Sequence, residues 1–297
     1  MKYKCAGIVT YQPDIERLNK NIEALYDQVD HLIIVDNGSK NIKELQELVV
    51  DKHKIEILSH GNNEGIAWAL NKILELAERK GYTWCLLMDQ DSICSKNIIA
   101  EYAKHLNDDN IAILAPYIVD EYKTNLEQYK QMKLQEKSEC IYAITSGTFL
   151  NINIWKKVGK FIEDMFIDGV DTEFSYRVRE KGYKINRINK CYILHQQGNK
   201  TEKTHIYRIY KDFAGNISIK PAFRFNYSTI RWYYMARNNY AIIRRYSELN
   251  GRLKPILSYM MRFMSVLLLE RNKKEVWSAI RNGYRDGKKY YLPKNIM

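Results

Sequence analysis

The sequence has little that would punctuate, cross-link or cradle. Five prolines and 14 glycines in 297 residues exclude a collagen-like or Pro/Gly-rich low-complexity chain. The five cysteines (Cys5, Cys85, Cys94, Cys140, Cys191) are odd in number and contain no Cys-x-x-Cys pair. That argues for reduced thiols rather than a disulfide framework or a zinc site. Neither GxGxxG nor GxxxxGK[ST] occurs, which disfavours a dinucleotide oxidoreductase or a P-loop enzyme, and no GxSxG elbow marks a nucleophilic serine. Long apolar runs are missing too. The N-terminus MKYKCAGIVTYQ lacks a signal-type core, and the stretch Ile256 to Leu269 is interrupted by Arg262, short of the ~20 apolar residues a crossing needs. The expected location is the cytoplasm, at most peripheral on the inner membrane face.

What is present is a globular chain, 45% hydrophobic and 28% charged, with its charge unevenly placed. Of 47 Lys and Arg, 16 fall in residues 221–297, against 4 of the 35 Asp and Glu. The net +12 therefore sits in the last quarter, and the first 220 residues balance to zero. A basic block of this kind points to an anionic partner: nucleic acid, a bilayer surface or a phosphate-bearing substrate.

The first half alternates strand and helix signals. Apolar runs at Lys4–Tyr11, His31–Val35, Lys54–Leu58 and Thr83–Met88 are separated by helical patterns, including Ile15, Leu18, Ile22 and Leu25 behind a capping Asp14. Strands apolar on both faces imply an α/β fold with a mostly parallel sheet covered by helices. Ligands bind such sheets beyond the carboxyl ends of the strands, where the polar clusters after Val9, Val35 and Met88 fall. Further on, the sequence predicts an irregular excursion over 118–140, strands at Ile141–Ile144, Tyr183–Ile188 and Cys191–Leu194, and a helix over Asp171–Lys181. Residues 196–226 read as a loop, and basic, aromatic helices run from Ser228 to the end, broken at Gly251 and Pro255.

Several of these positions can carry chemistry. Asp89-Gln90-Asp91 at a strand end offers two hard oxygen ligands for Mg²⁺ or Mn²⁺, though a solvated turn capping the next helix has the same spelling. Asp36-Asn37-Gly38-Ser39 suits a nucleotide's ribose or base, or an ordinary Asx/Gly turn. In Phe166–Phe174, spacing alone favours Asp171 as a helix cap over Asp171 as a general base. His195 follows an apolar strand and reads as a structural residue or a ligand. Arg231–Tyr240 with Arg244 and Arg245 forms a basic, aromatic helix fit for a diphosphate, a base or lipid, or for a solvated face.

In order, these pieces resemble the inverting nucleotide-sugar glycosyltransferases of family 2, which have the GT-A fold, and most closely their bacterial rhamnosyltransferase branch. The matching residues are Val9-Thr10-Tyr11-x-Pro13, Val35–Ser39, Asn63-x-Gly65-Ile66-Ala67 with Asn71, Asp89-Gln90-Asp91, Ser146-Gly147, Phe166-Ile167-Asp168-x-Val170-Asp171-x-Glu173-Phe174, His195-x-x-Gly198 and Arg231-x-Tyr233-Tyr234-x-x-Arg237-Asn238.

The resemblance implies a catalytic base at Asp171, reversing the reading from spacing. It implies a nucleotide-sugar site at Thr10, Tyr11, Asp36, Asn37, Asn63, Asp89 and Arg237, and a divalent metal (Mg²⁺ or Mn²⁺) on Asp91 with His195. Val170 departs from relatives that carry an acidic residue before the base. The implied donor is a dTDP-sugar, dTDP-β-L-rhamnose, with a UDP-sugar as the alternative. The implied acceptor is a glycan or lipid-linked glycan. On this reading residues 1–225 form the catalytic domain and 226–297 a basic helical region that contacts an anionic membrane or another subunit of a homo-oligomer. A non-catalytic nucleotide-binding or nucleic-acid-binding protein is the competing class; the balanced first 220 residues offer no basic groove, so no nucleic-acid partner is expected.

Overall fold

The structure is a computed structural model describing residues 2–120, 126–195, 202–211, 217–250 and 253–293. It divides into two compact units, one reaching to Gln196 and the other running Gln197–Leu292.

The first unit opens with β1 (Cys5–Thr10), α1 (Ile15–Tyr26), β2 (His31–Asp36), α2 (Ile42–Val49), β3 (Ile55–Ser59), α3 (Ile66–Arg79) and β4 (Trp84–Asp89). Asp14 caps α1 by accepting from the Arg17 amide at 3.0 Å, and Leu18, Ile22 and Leu25 are fully buried. The four strands are parallel, in the order β3-β2-β1-β4. Gly7 lets α3 lie close on β1, since a Cβ there would sit 2.1 Å from Ile73 Cγ2.

The second half is mixed. It comprises β5 (Ile93–Cys94), α4 (Ile98–Ala103), β6 (Ile111–Asp120), α5 (Leu126–Gln131), β7 (Lys137–Glu139), β8 (Thr148–Asn151), α6 (Ile152–Val158), α7 (Val170–Glu180) and β9 (Lys184–His195). The sheet continues β4-β8-β6-β9-β5, with β7 paired to β9. β8 runs antiparallel to both neighbours, while β6 and β9 are parallel. Trp84, Phe149 and Tyr102 stack across this junction, with centroids 5.3 and 5.4 Å apart.

Three expectations change. The strand expected at Ile141–Ile144 is irregular backbone with Ile141 and Tyr142 exposed; the strand starts after the Ser146-Gly147 turn, at Thr148. The two strands expected over Tyr183–Leu194 are one, β9, whose pairing with β6 slips between Pro116 and Tyr117. The loop expected over 196–226 contains an antiparallel pair, β10 (Glu202–Lys211) and β11 (Ile217–Arg224). Its β-forming Ile, Tyr and Phe alternate with Lys and Arg, so no apolar run announces it.

That pair opens the second unit, which continues with α8 (Thr229–Arg245), α9 (Ser247–Asn250), α10 (Leu253–Leu269) and α11 (Lys273–Gly287). Its own core joins Trp232, Met235 and Ala236 of α8 to Val266 of α10 and Val276 and Ile280 of α11. Among the described residues, no helix is long and apolar enough to cross a membrane.

Candidate active site

Thr10, Asp36 and Asp89 end three adjacent parallel strands, and the chain leaves each strand through a loop built by side-chain hydrogen bonds. Asp36 is fully buried. Its carboxylate accepts from Thr10 Oγ1 at 3.0 Å, from the Gly38 and Ser39 amides at 3.2 and 2.9 Å, and from the Ser39 and Ser59 hydroxyls. A buried carboxylate with this many donors fixes the shape of the turn around it.

Asn37 joins that turn to the start of α3. Its Nδ2 donates to Asn63 Oδ1 and to the Gly65 carbonyl, both at 3.0 Å, while its Oδ1 accepts from the Glu64 amide. Tyr11, by contrast, is exposed, and its backbone exchanges two hydrogen bonds with the Gln90 side chain, linking the tips of β1 and β4.

Asp89, Asp91 and His195 come together: one ligand atom from each lies within 4.8 Å of the others. His195 arrives through β9, because Ile93 pairs with Leu194 and sets Ser92 beside it; Ser92 Oγ and His195 Nδ1 are hydrogen-bonded at 3.0 Å. This contact orients the ring, as supporting hydrogen bonds do for metal-ligating histidines. Two carboxylates and an imidazole gathered at strand ends offer ligands of the kind a divalent cation takes. Gly198, the last residue of the His195 motif, lies outside the described residues.

Two residues of α1 that the sequence reading passed over hold this loop. Asn21 Nδ2 donates to the Asp89 carbonyl and Arg17 Nε to the Asp91 carbonyl, each at 2.7 Å. The signal was available. Asn21 falls three residues after Leu18 and four before Leu25, a polar residue on an apolar stripe.

Asp171 stands in the first turn of α7. Gly65, at φ +89°, lets the segment before that helix approach: the Ile66 amide donates to the Phe166 carbonyl at 2.7 Å, and a Cβ on Gly65 would lie 2.6 Å from the same oxygen. Asn71 of α3 clamps Phe161 by bonding both its carbonyl and its amide, and also reaches Glu163. Behind, Arg177 and Glu173 form a buried bidentate pair at 3.0 and 2.9 Å, and the guanidinium also donates to the carbonyls of Val158, Gly159 and Lys160.

The Asp171 side chain is half-buried and helps to line a cavity of about 10 Å³ with Leu87, Ile113, Leu150, Phe161 and Phe174. That burial pushes its pKa up, and the negative charge of Asp168 adds to the rise; hydrogen bonds from the Thr172 and Thr145 backbones oppose it. A carboxylate poised this way takes a proton more readily than a solvated one.

The Glycosyl transferase family 2 model matches residues 5–172, from the start of β1 to one residue past Asp171. The chain belongs to glycosyl transferase family 2. The dTDP-rhamnosyl transferase RfbF of Shigella flexneri is 27% identical to it over 284 residues, 91% of this chain and 90% of that protein. Two solved structures share the fold. S. aureus TarS 1-349 aligns with 97% of this chain and 90% of that one at a TM-score of 0.52 and 12% identity. GalNAc-T7 with UDP, GalNAc and Mn²⁺ aligns with 66% of this chain at a TM-score of 0.53 and 11% identity, and the match spans 44% of that protein. This family 2 enzyme is therefore a GT-A glycosyltransferase, similar to a rhamnosyltransferase, with a site that accommodates a divalent cation. Of the catalytic, nucleotide-sugar and metal residues that the resemblance implies, all but one belong to its first unit. Arg237 lies in α8 of the second, where its guanidinium stacks between Tyr234 and Tyr290, 4.6 and 4.3 Å from the ring centroids.

Proposed function

We propose that this family 2 glycosyltransferase moves L-rhamnose from dTDP-β-L-rhamnose to a hydroxyl of a glycan or lipid-linked glycan precursor, inverting the anomeric centre to an α-linkage. The observations that support the chemistry are two: the raised pKa of Asp171 in the first turn of α7, and the gathering of Asp89, Asp91 and His195 at their strand ends. Similarity over nine-tenths of both chains to a dTDP-rhamnosyl transferase supports the donor.

The step needs one base. The acceptor oxygen attacks the anomeric carbon as the bond to the diphosphate oxygen breaks, and Asp171 takes the acceptor proton. No covalent sugar intermediate forms, so no second carboxylate is required as nucleophile. Asp89, Asp91 and His195 would hold a divalent cation, Mg²⁺ or Mn²⁺, which when bound neutralises charge gathering on the departing diphosphate. Thr10, Tyr11, Asp36, Asn37 and Asn63 shape the nucleotide's berth, with Asp36 organising the turn from within.

The test is calorimetric binding of dTDP, UDP and GDP, with and without Mn²⁺ or Mg²⁺, on wild type and Asp91→Ala. Metal-dependent dTDP binding lost in the variant is the expected result. A UDP preference would move the donor to a UDP-sugar and leave the chemistry intact; binding of none would overturn the reading.

A further inference from the structure

α10 is apolar on two sides. Val266 faces inward onto Trp232 and Ile280, with Phe263 and Leu267 partly buried beside it. Leu257, Met260, Met261, Met264 and Leu268, at positions i, i+3, i+4, i+7 and i+11, form a second stripe that faces solvent, each side chain 57–68% exposed. Five large apolar side chains in one row form a contiguous patch of the kind that marks an interaction surface. The helix carries no acidic residue, and Glu270, just beyond it, is buried and accepts from the Phe225 amide at 3.0 Å.

α11 adds a different face to the same unit. Trp277, Arg281, Tyr284 and Lys288 recur at i, i+4, i+7 and i+11, all exposed, with Lys273, Lys274 and Arg285 exposed beside them. Aromatic rings with polar edges interleaved with cations suit the boundary between lipid headgroups and acyl chains.

Charge decides the occupant. The quarter of the chain holding α8, α10 and α11 carries all of the net +12, so a second copy would bring the same excess up against it, whereas an anionic bilayer neutralises it. At 17 residues α10 extends about 26 Å, short of the ~30 Å of a hydrocarbon core. We propose that the second unit binds the surface of an anionic phospholipid bilayer, with the Leu257–Leu268 stripe of α10 lying among the acyl chains at headgroup depth and the cations of α11 on lipid phosphates. The inference rests on this unit alone, so its failure would leave the reading of the active site untouched.

The experiment is co-sedimentation of the full chain with phosphatidylcholine vesicles and with mixed phosphatidylcholine–phosphatidylglycerol vesicles, with light scattering in parallel. Wild type should sediment with the mixed vesicles only, and less at high salt. The combined variant Met260→Ser, Met261→Ser, Met264→Ser should bind at least tenfold more weakly while dTDP calorimetry is unchanged. On the wild type, lipids brominated in the acyl chain should quench fluorescence that disappears in Trp277→Phe, a readout that needs no stripe variant to fold. Absence of sedimentation with mixed vesicles would overturn the proposal. So would undiminished binding by the stripe variant, or a stable dimer that only the stripe variant dissociates.

Discussion

The side-chain amide of Asn21 donates to the backbone carbonyl of Asp89 at 2.7 Å, so the helix after the first strand holds the tip of the fourth. Asn21 is fully buried, and among the described residues its Oδ1 finds no hydrogen-bond partner, so the bond from Nδ2 is the one that fixes its placement. Asn21→Ala should cost about 1–3 kcal/mol of stability by removing a buried donor to the Asp89 carbonyl. It should also weaken Mn²⁺ binding by about 10–100-fold, the usual penalty for loosening a group that orients ligands. Denaturant titration together with Mn²⁺ titration followed by electron paramagnetic resonance checks both; unchanged metal affinity would mean that Asn21 supports the fold alone.

Asp171→Asn should lower turnover by about 10²–10⁴-fold, the usual contribution of a positioned base. The same substitution should raise the melting temperature at neutral pH. Because the folded-state pKa of Asp171 is raised, chiefly by burial, ionisation disfavours the folded state. The stability associated with its protonated form is full below the unfolded pKa and lost as pH rises through the folded one. The variant's advantage should therefore fade as the pH is lowered toward the ordinary aspartate range. Calorimetry across pH reads this, and equal melting temperatures at every pH would sink it.

Asp168 contributes negative charge that adds to the rise in Asp171's pKa. In Asp168→Asn the acid limb of kcat/KM should move to lower pH, since Asp171 would ionise more easily. Asp168 sits at φ +61°, a conformation asparagine also tolerates, so the backbone should be preserved. A pH–rate profile decides the matter, and an acid limb that stays in place would remove Asp168 from the account.

Glu173 and Arg177 are both buried, at 0% and 2% side-chain exposure. Glu173→Ala should destabilise by about 3–5 kcal/mol because it strands the guanidinium without its counter-charge. Replacing both by Leu and Met together should cost far less per residue, though three backbone carbonyls would lose a donor. Urea melts of the single and double variants separate these outcomes.

The parallel half of the fold was legible because its strands are continuous apolar runs and the loops at their carboxyl ends are spelled in Asp, Asn, Gly and Ser. The antiparallel half was not. β8 is only four residues long, and nothing local in Thr148–Asn151 says that it inserts between β4 and β6. His195 was visible as a strand-end histidine. Its company with Asp89 and Asp91 depends on the two-residue strand β5, too short to announce itself in a sequence. Spacing favoured Asp171 as the cap, but the helix starts one residue earlier: Gly169 is the N-cap and Asp171 stands in the first turn, beside Leu87, Ile113 and Phe174, a neighbourhood that only the packed chain creates. Asp36 read as a nucleotide contact or as an Asx/Gly turn; its oxygens accept from Gly38 and Ser39 of its own turn and from Thr10 and Ser59 of the neighbouring strands, a convergence that no local spacing announces.

The strand order also constrains how the chain emerges from the ribosome. β1 to β4 follow one another within the first 89 residues and can pair as they appear, so the carboxylate tips can form early. His195 is the last residue of the final strand of that sheet, more than a hundred residues behind Asp89. Closing such a long span makes the last docking slow relative to local helix and hairpin formation. Until β9 docks, the nascent protein can display two of the three candidate cation ligands but not the third.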